Sequence, residues 1–164
     1  MPYYITNAIA GTQSIAETDT VQRHALGTIV DAYDPVYGAG EFVYLAGVAS
    51  TAIGSWVTFN RDDSTTALLA ANAIGPVAVA MSANDAATKF GWYQITGKAI
   101  GLCLAAFADN ANVYATATAG SVDDAVVAGD RVKNAKGASA IGTPSGSFAE
   151  FEIDRPFMDD ALAA

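Results

Sequence analysis

Short apolar runs, most of them bounded by glycine, set the rhythm of this sequence. Phe42–Val48, Trp56–Phe59, Val77–Met81, Trp92–Ile95, Val113–Thr118 and Phe148–Ile153 have strand length and are rich in β-branched and aromatic residues. The last alternates cleanly: Glu150, Glu152 and Asp154 fall on one face, Ala149, Phe151 and Ile153 on the other. That pattern predicts a strand with one wet face, as antiparallel sheets allow. In Val77–Met81 the period is again two, with Val77, Val79 and Met81 opposite Ala78 and Ala80. The small residues would let another layer, or another subunit, approach closely. Turn signals recur roughly every 10–15 residues, the spacing of an all-β sandwich or barrel. A local phrase repeats as Gly40-Glu41-Phe42-Val43, Gly54-Ser55-Trp56-Val57 and Gly129-Asp130-Arg131-Val132, a turn glycine followed by a polar residue and the start of a strand. The repeats have no fixed period, which excludes a solenoid or propeller.

Helical signals are few. Ser82-Ala83-Asn84-Asp85 opens a run to Lys89 that predicts one or two helical turns capped by Ser82. Ser14-Ile15-Ala16-Glu17 has capping-box spacing, but Thr18, Thr20 and Val21 disfavour continuing it. Residues 1–25 are therefore expected to form an extended N-terminal arm, followed by a single β domain over 26–164 with a loop at 135–146. The predicted class is all-β, one antiparallel barrel or sandwich with one or two short helical turns. Ser64–Asn84 is uncharged over 21 residues, the length of a membrane span. Its central Gly75-Pro76 and its Ser, Thr and Asn residues instead predict two short buried elements joined by a Gly-Pro turn.

Composition sharpens the functional reading. Of 164 residues 35 are Ala, and only 15% are charged, against about 25% in an average soluble domain. Such a sparsely charged surface suits a protein partly covered by neighbours. Seventeen acidic and eight basic residues give a net charge of −9. Binding a nucleic-acid backbone needs clustered Lys and Arg, and only Arg131, Lys133 and Lys136 come close together, so neither nucleic acid nor an anionic membrane is an expected partner. The start, Met1-Pro2-Tyr3-Tyr4, shows no secretory leader pattern.

Catalytic chemistry finds little to build on. His24 is the single histidine, in a polar Gln22-Arg23-His24 context, and Cys103 is the single cysteine, in an apolar setting that would raise its pKa. Asp62-Asp63, Asp123-Asp124 and Asp159-Asp160 are adjacent pairs, which point to opposite faces of a strand and sit beside turn residues. Asp109-Asn110-Ala111-Asn112 is the best local candidate for calcium but lacks EF-hand spacing. Gly137–Thr143 has phosphate-loop glycine spacing without the lysine. No catalytic residue, metal or cofactor is expected, and the chain is not read as an enzyme. Trp92 and Tyr93, as strand neighbours, are expected to supply one side chain to the core and one to the outer surface, at a subunit interface rather than a sugar or base platform.

Several phrases together resemble the head decoration, or capsid cement, proteins of tailed bacteriophages. They are Gly40-Glu41-Phe42-Val43-Tyr44-Leu45-Ala46-Gly47-Val48, Gly75-Pro76-Val77-Ala78-Val79-Ala80-Met81 and Phe90-Gly91-Trp92-Tyr93-Gln94-Ile95-Thr96-Gly97-Lys98-Ala99, with Ala117–Asp124 and Arg155-Pro156-Phe157. The resemblance implies a β-rich virion protein, often a homotrimer, on the exterior of an icosahedral capsid and bound to the major capsid protein. The net charge of −9 would oppose packaged DNA on the inside, and the lack of a leader pattern fits the expected assembly in the host cytoplasm. The candidate contact residues are Tyr3, Tyr4 and Ile5 in the arm and the Trp92-Tyr93 pair; the other reading of the arm residues is a strand that pairs with the protein's own barrel. The alternative is a non-enzymatic binding module, an adhesin or carbohydrate-binding protein, using Trp56, Trp92 and the tyrosines as exposed platforms.

Overall fold

A computed structural model describes residues 3–7 and 9–159. The first eight strands are β1 (Tyr4–Ile5), β2 (Thr18–Asp19), β3 (Ile29–Asp34), β4 (Gly38–Ala46), β5 (Trp56–Phe59), β6 (Thr66–Leu68), β7 (Ile74–Ala80) and β8 (Phe90–Gln94). The remaining five are β9 (Thr96–Leu102), β10 (Asn112–Ala115), β11 (Val122–Asp123), β12 (Arg131–Gly137) and β13 (Phe148–Asp159). The chain is all-β, and every ladder is antiparallel. One path runs β1-β3-β4-β8-β7-β13-β12-β10-β11; β2 joins β8, β5 joins β6 and β7, and β9 joins β13. The sheet does not close on itself.

Alternation along the strands sorts the apolar side chains into three cores. On β4 and β8, Phe42, Tyr44 and Trp92 enter one core, while Val43, Leu45 and Tyr93 enter a second on the other face. That second core lies inside the curl of β4, β8, β7 and β5, and Ala78 and Ala80 face into it. Their small size therefore fits a narrow interior rather than an approaching subunit. Val77 and Val79 point the opposite way, into a third core with Trp56, Phe107 and Phe151, which β9 to β13 wrap. The alternation of the C-terminal strand is as the sequence predicts, with Ala149, Phe151 and Ile153 buried and Glu152 and Asp154 exposed.

Several local expectations are corrected. Residues 82–89 form bends and turns rather than helix, and no helix occurs among the described residues. Backbone groups there bond across to the end of β4 instead: Gly47 N–H donates to Lys89 O at 2.9 Å and Val48 N–H to Asn84 O at 3.1 Å. Gly75-Pro76 is not a turn but lies within β7. The turn comes earlier, at Ala71-Asn72, where Asn72 has φ 62°. β7 pairs with β13 through Ile74–Pro76 and with β5 through Val77–Val79. Pro76 stands where β5 and β7 part, and it has no N–H to extend their ladder. In the repeated glycine phrase, Gly54 and Gly129 have positive φ and precede strands as expected. Gly40 instead lies inside β4. The predicted loop begins after Gly137, since residues 135–137 belong to β12.

The N-terminal segment is integrated into the body rather than a free arm. β1 pairs with β3, β2 pairs with β8, and Tyr3 and Ile15 are buried against Phe42, Tyr44 and Trp92. Tyr3 lies edge-on to Phe42 at 4.9 Å. Trp92 and Tyr93 do face opposite ways, but both are completely enclosed. The residues that cover Trp92 come from this same segment, and Tyr93 lies inside the second core, so neither side chain reaches an outer surface.

Candidate interaction face

Among the described residues, no layer covers the sheet face that encloses the second core once it passes β4. In register, Ile29 opposes Val43, Asp31 opposes Glu41 and Tyr33 opposes Ala39, and Tyr4 on β1 opposes Tyr33. Directly opposed residues share a face, so Tyr4, Ile29, Asp31 and Tyr33 continue outward the face that Val43 and Leu45 present inward. Tyr4 is 60% exposed and Tyr33 48%. A groove of about 490 Å³ beside them is lined by Asp31, Tyr33, Ala39, Glu41, Thr96 and Gly97.

The face carries on past the open end of the second core. Arg155 Nη2 lies 3.1 Å from Glu41 Oε1 and 3.3 Å from Glu41 Oε2. Arg155 also lines a small cleft with Phe59, Arg61, Pro76 and Ile95, where the Arg61 guanidinium sits 5.5 Å from the Phe59 ring centroid. Beyond it, a second groove of about 490 Å³ runs between the β5–β6 turn and the start of β7, lined by Phe59, Arg61, Thr66, Ile74 and Pro76 among others. Ile74 is 69% exposed there, and Phe157, opposite Pro76 in register, is 41% exposed. Aromatic and aliphatic side chains thus ring two arginines, a mixture of the kind enriched in protein interfaces.

No family model, curated protein or solved structure matches this chain.

Of the residues singled out from sequence, only Tyr4 stands on this face. Tyr3 is buried, Ile5 is half-buried against the same core, and Trp92 and Tyr93 are internal. Arg61, Ile74 and Phe157 are not among the sequence candidates, and Tyr33 is one only collectively, as one of the tyrosines of the binding-module alternative, although the outward period-two row Ile29, Asp31, Tyr33 carries its signal.

Members of the acidic pairs singled out from the sequence bond to backbone in turns and loops. Asp63 Oδ1 accepts from Thr65 N–H at 3.0 Å and from Thr65 Oγ1 at 2.8 Å, and these bonds hold its carboxyl below the usual carboxylate range. Asp123 Oδ1 accepts from Asp124 N–H and Asp124 Oδ2 from Ala108 N–H, both at 2.9 Å. Asp160, the second member of the last acidic pair, lies outside the described residues. Asn112, in the candidate calcium segment, uses its Oδ1 to accept from Arg131 at 3.1 Å. Among the described residues no group of three or more His, Cys, Asp or Glu side chains is placed to hold a metal ion. No helix of the described residues is long and apolar enough to cross a membrane.

Cys103 is buried, and burial, with Asp123 and Asp124 adding to it, pushes its thiol up to about 11. The thiolate is the reactive form. Native protein is therefore expected to resist iodoacetamide at pH 8, while urea-unfolded protein is alkylated within the same incubation. Equal labelling of both forms by mass spectrometry would contradict this burial.

Proposed function

We propose that the protein is a virion structural protein of a tailed phage. In this reading it binds the outer surface of the icosahedral head through the face described above and bridges neighbouring copies of the major capsid protein. The observation that carries the reading is the continuous face from Tyr4 and Tyr33, through Glu41, Arg155 and Arg61, to Ile74 and Phe157. It combines exposed apolar side chains with a sparsely charged surface, and the sequence phrases that resemble decoration proteins contribute residues to it from β4, β7, β9 and β13. A homotrimer is part of the proposal. Each contact can be weak, because one engaged copy presents the others at high effective concentration, raising avidity by about 10²–10⁴ when geometry permits.

The test is co-sedimentation of the purified protein with heads of the encoding phage, followed by negative-stain microscopy. Wild-type protein is expected to decorate the heads. Ile74→Asp and Tyr33→Ser, both at exposed positions, are expected to leave the free protein's circular dichroism unchanged and to lower head occupancy at least tenfold. Sedimentation equilibrium of the free wild type is expected to give three times the 16.8 kDa chain. Wild-type protein that ignores the heads would overturn the reading.

The adjacent exposed tyrosines Tyr4 and Tyr33 favour a second reading, a glycan-binding module. Both tryptophans are fully buried, so such a platform would be made of tyrosine. Chemical-shift changes at these two rings on adding oligosaccharides, without binding to heads, would favour it.

A further inference from the structure

Gln13 is the polar centre of the N-terminal segment, only 4% exposed, and every polar group of its side chain and backbone N–H and C=O is engaged. Its Nε2 donates to Glu17 O at 2.8 Å and to Phe90 O at 3.0 Å, and its Oε1 accepts from the Tyr44 hydroxyl at 2.7 Å. Its carbonyl accepts from Trp92 Nε1 at 3.0 Å. Its N–H donates to Nε2 of His24 at 3.1 Å. The His24 ring lies edge-on to Tyr44 at 5.0 Å and tilted to Trp92 at 5.3 Å. An imidazole nitrogen that accepts a hydrogen bond carries no proton, so this geometry requires neutral His24 with its proton on Nδ1.

Protonation would set an N–H of His24 against the N–H of Gln13, deep enough for the lost bond to matter. We propose that His24 is an acid-sensitive latch: unprotonated, it holds the segment from Ile9 to His24 over the Tyr44–Trp92 face, and protonation loosens that segment from the sheet. The charged and titratable groups around the ring are Arg23, Asp19 and Tyr44. Arg23 Nε is paired with Asp19 Oδ2 at 2.6 Å, and Arg23 N–H donates to the Tyr44 hydroxyl at 3.3 Å. The surroundings do not favour the imidazolium: burial first, and then the Arg23 charge, hold His24 below its usual value of 6.5. The docked segment therefore binds a proton less readily than the released one. Its attachment is complete above about pH 6.5 and weakens as pH falls from there through the docked-state value, with the opening constant rising by at most about tenfold per pH unit for one proton.

The experiment is hydrogen exchange on the full chain between pH 7.5 and 5, corrected for intrinsic exchange chemistry, alongside an NMR titration of His24. The expected result is faster opening at Gln13, Thr18 and the Trp92 indole N–H as His24 titrates below 6.5, while amides around Phe151 stay protected. His24→Gln, whose amide oxygen can accept the same bond without titrating, is expected to abolish the acid response; His24→Phe is expected to open the segment at every pH. A titration at or above 6.5 overturns the latch. So does an acid response that persists in His24→Gln, or no acceleration in the wild type. The titration and wild-type exchange decide the matter even if a variant does not fold.

Discussion

Truncating Phe151 to alanine is expected to destabilise the protein by about 3–5 kcal/mol, the range for removing a buried aromatic ring. The side chain is fully buried at the centre of the third core, edge-on to Trp56 at 4.9 Å and tilted against Phe107 at 5.1 Å. Gly101 is already pressed against the ring, since a Cβ there would stand 3.1 Å from Phe151 Cε2, and its strand is held in the β9–β13 ladder. The cavity would therefore persist, and its lining would lose its partner atoms. A urea titration checks this through a lower midpoint at nearly unchanged slope. A loss below about 1 kcal/mol would mean that the core repacks and that the rigidity inferred for it is mistaken.

Gly97→Ala is expected to be nearly as damaging, about 3 kcal/mol or more, without removing any contact. Gly97 has φ +94°, and a Cβ on it would lie 2.4 Å from the Ala39 carbonyl oxygen. Two penalties coincide, the left-handed backbone for an L residue and a clash with main chain that cannot rotate away. Gly38 separates them: its φ is +81°, but a Cβ there meets nothing within 4 Å. Gly38→Ala should show only the conformational penalty, about 1–2 kcal/mol. If the two variants melt alike, the close approach of β9 to β4 is not the constraint described.

The architecture was legible wherever burial follows chain-local alternation. The start of β13 is legible because it repeats every second residue, and Trp56–Phe59 because it is a short β-branched and aromatic run bounded by turn residues. β3 hid because one of its inward positions is Asp34, fully buried, whose Oδ1 accepts from Val36 N–H at 2.7 Å and Tyr37 N–H at 2.9 Å to form the hairpin turn. An aspartate facing inward breaks the apolar pattern although it serves the fold. β9, Thr-Gly-Lys-Ala-Ile-Gly-Leu, hid because its glycines are there for close approach: a Cβ on Gly101 would lie 2.5 Å from Trp56 Nε1. The opposed directions of Trp92 and Tyr93 followed from strand geometry. That both directions are covered did not, because the cover over Trp92 comes from residues remote in sequence. The candidate face was least legible, since it arises from register between strands and from the parting of β5 and β7 at Pro76.

The long last strand has a consequence for how the molecule is made. β13 is the partner of β9 along its whole length and also pairs with β12 and β7. It supplies Ala149, Phe151, Ile153 and Met158 to the third core, yet nothing to the other two. On the ribosome, strands β1 to β4 and β8 can therefore pair while the rest is still being translated, whereas β5 and β7 keep the side of Trp56, Val77 and Val79 uncovered. β9 must wait with its ladder empty until residues 148–159 emerge. That interval, when a nascent chain carries an unpaired strand and half a core, is when chaperones would have most to protect.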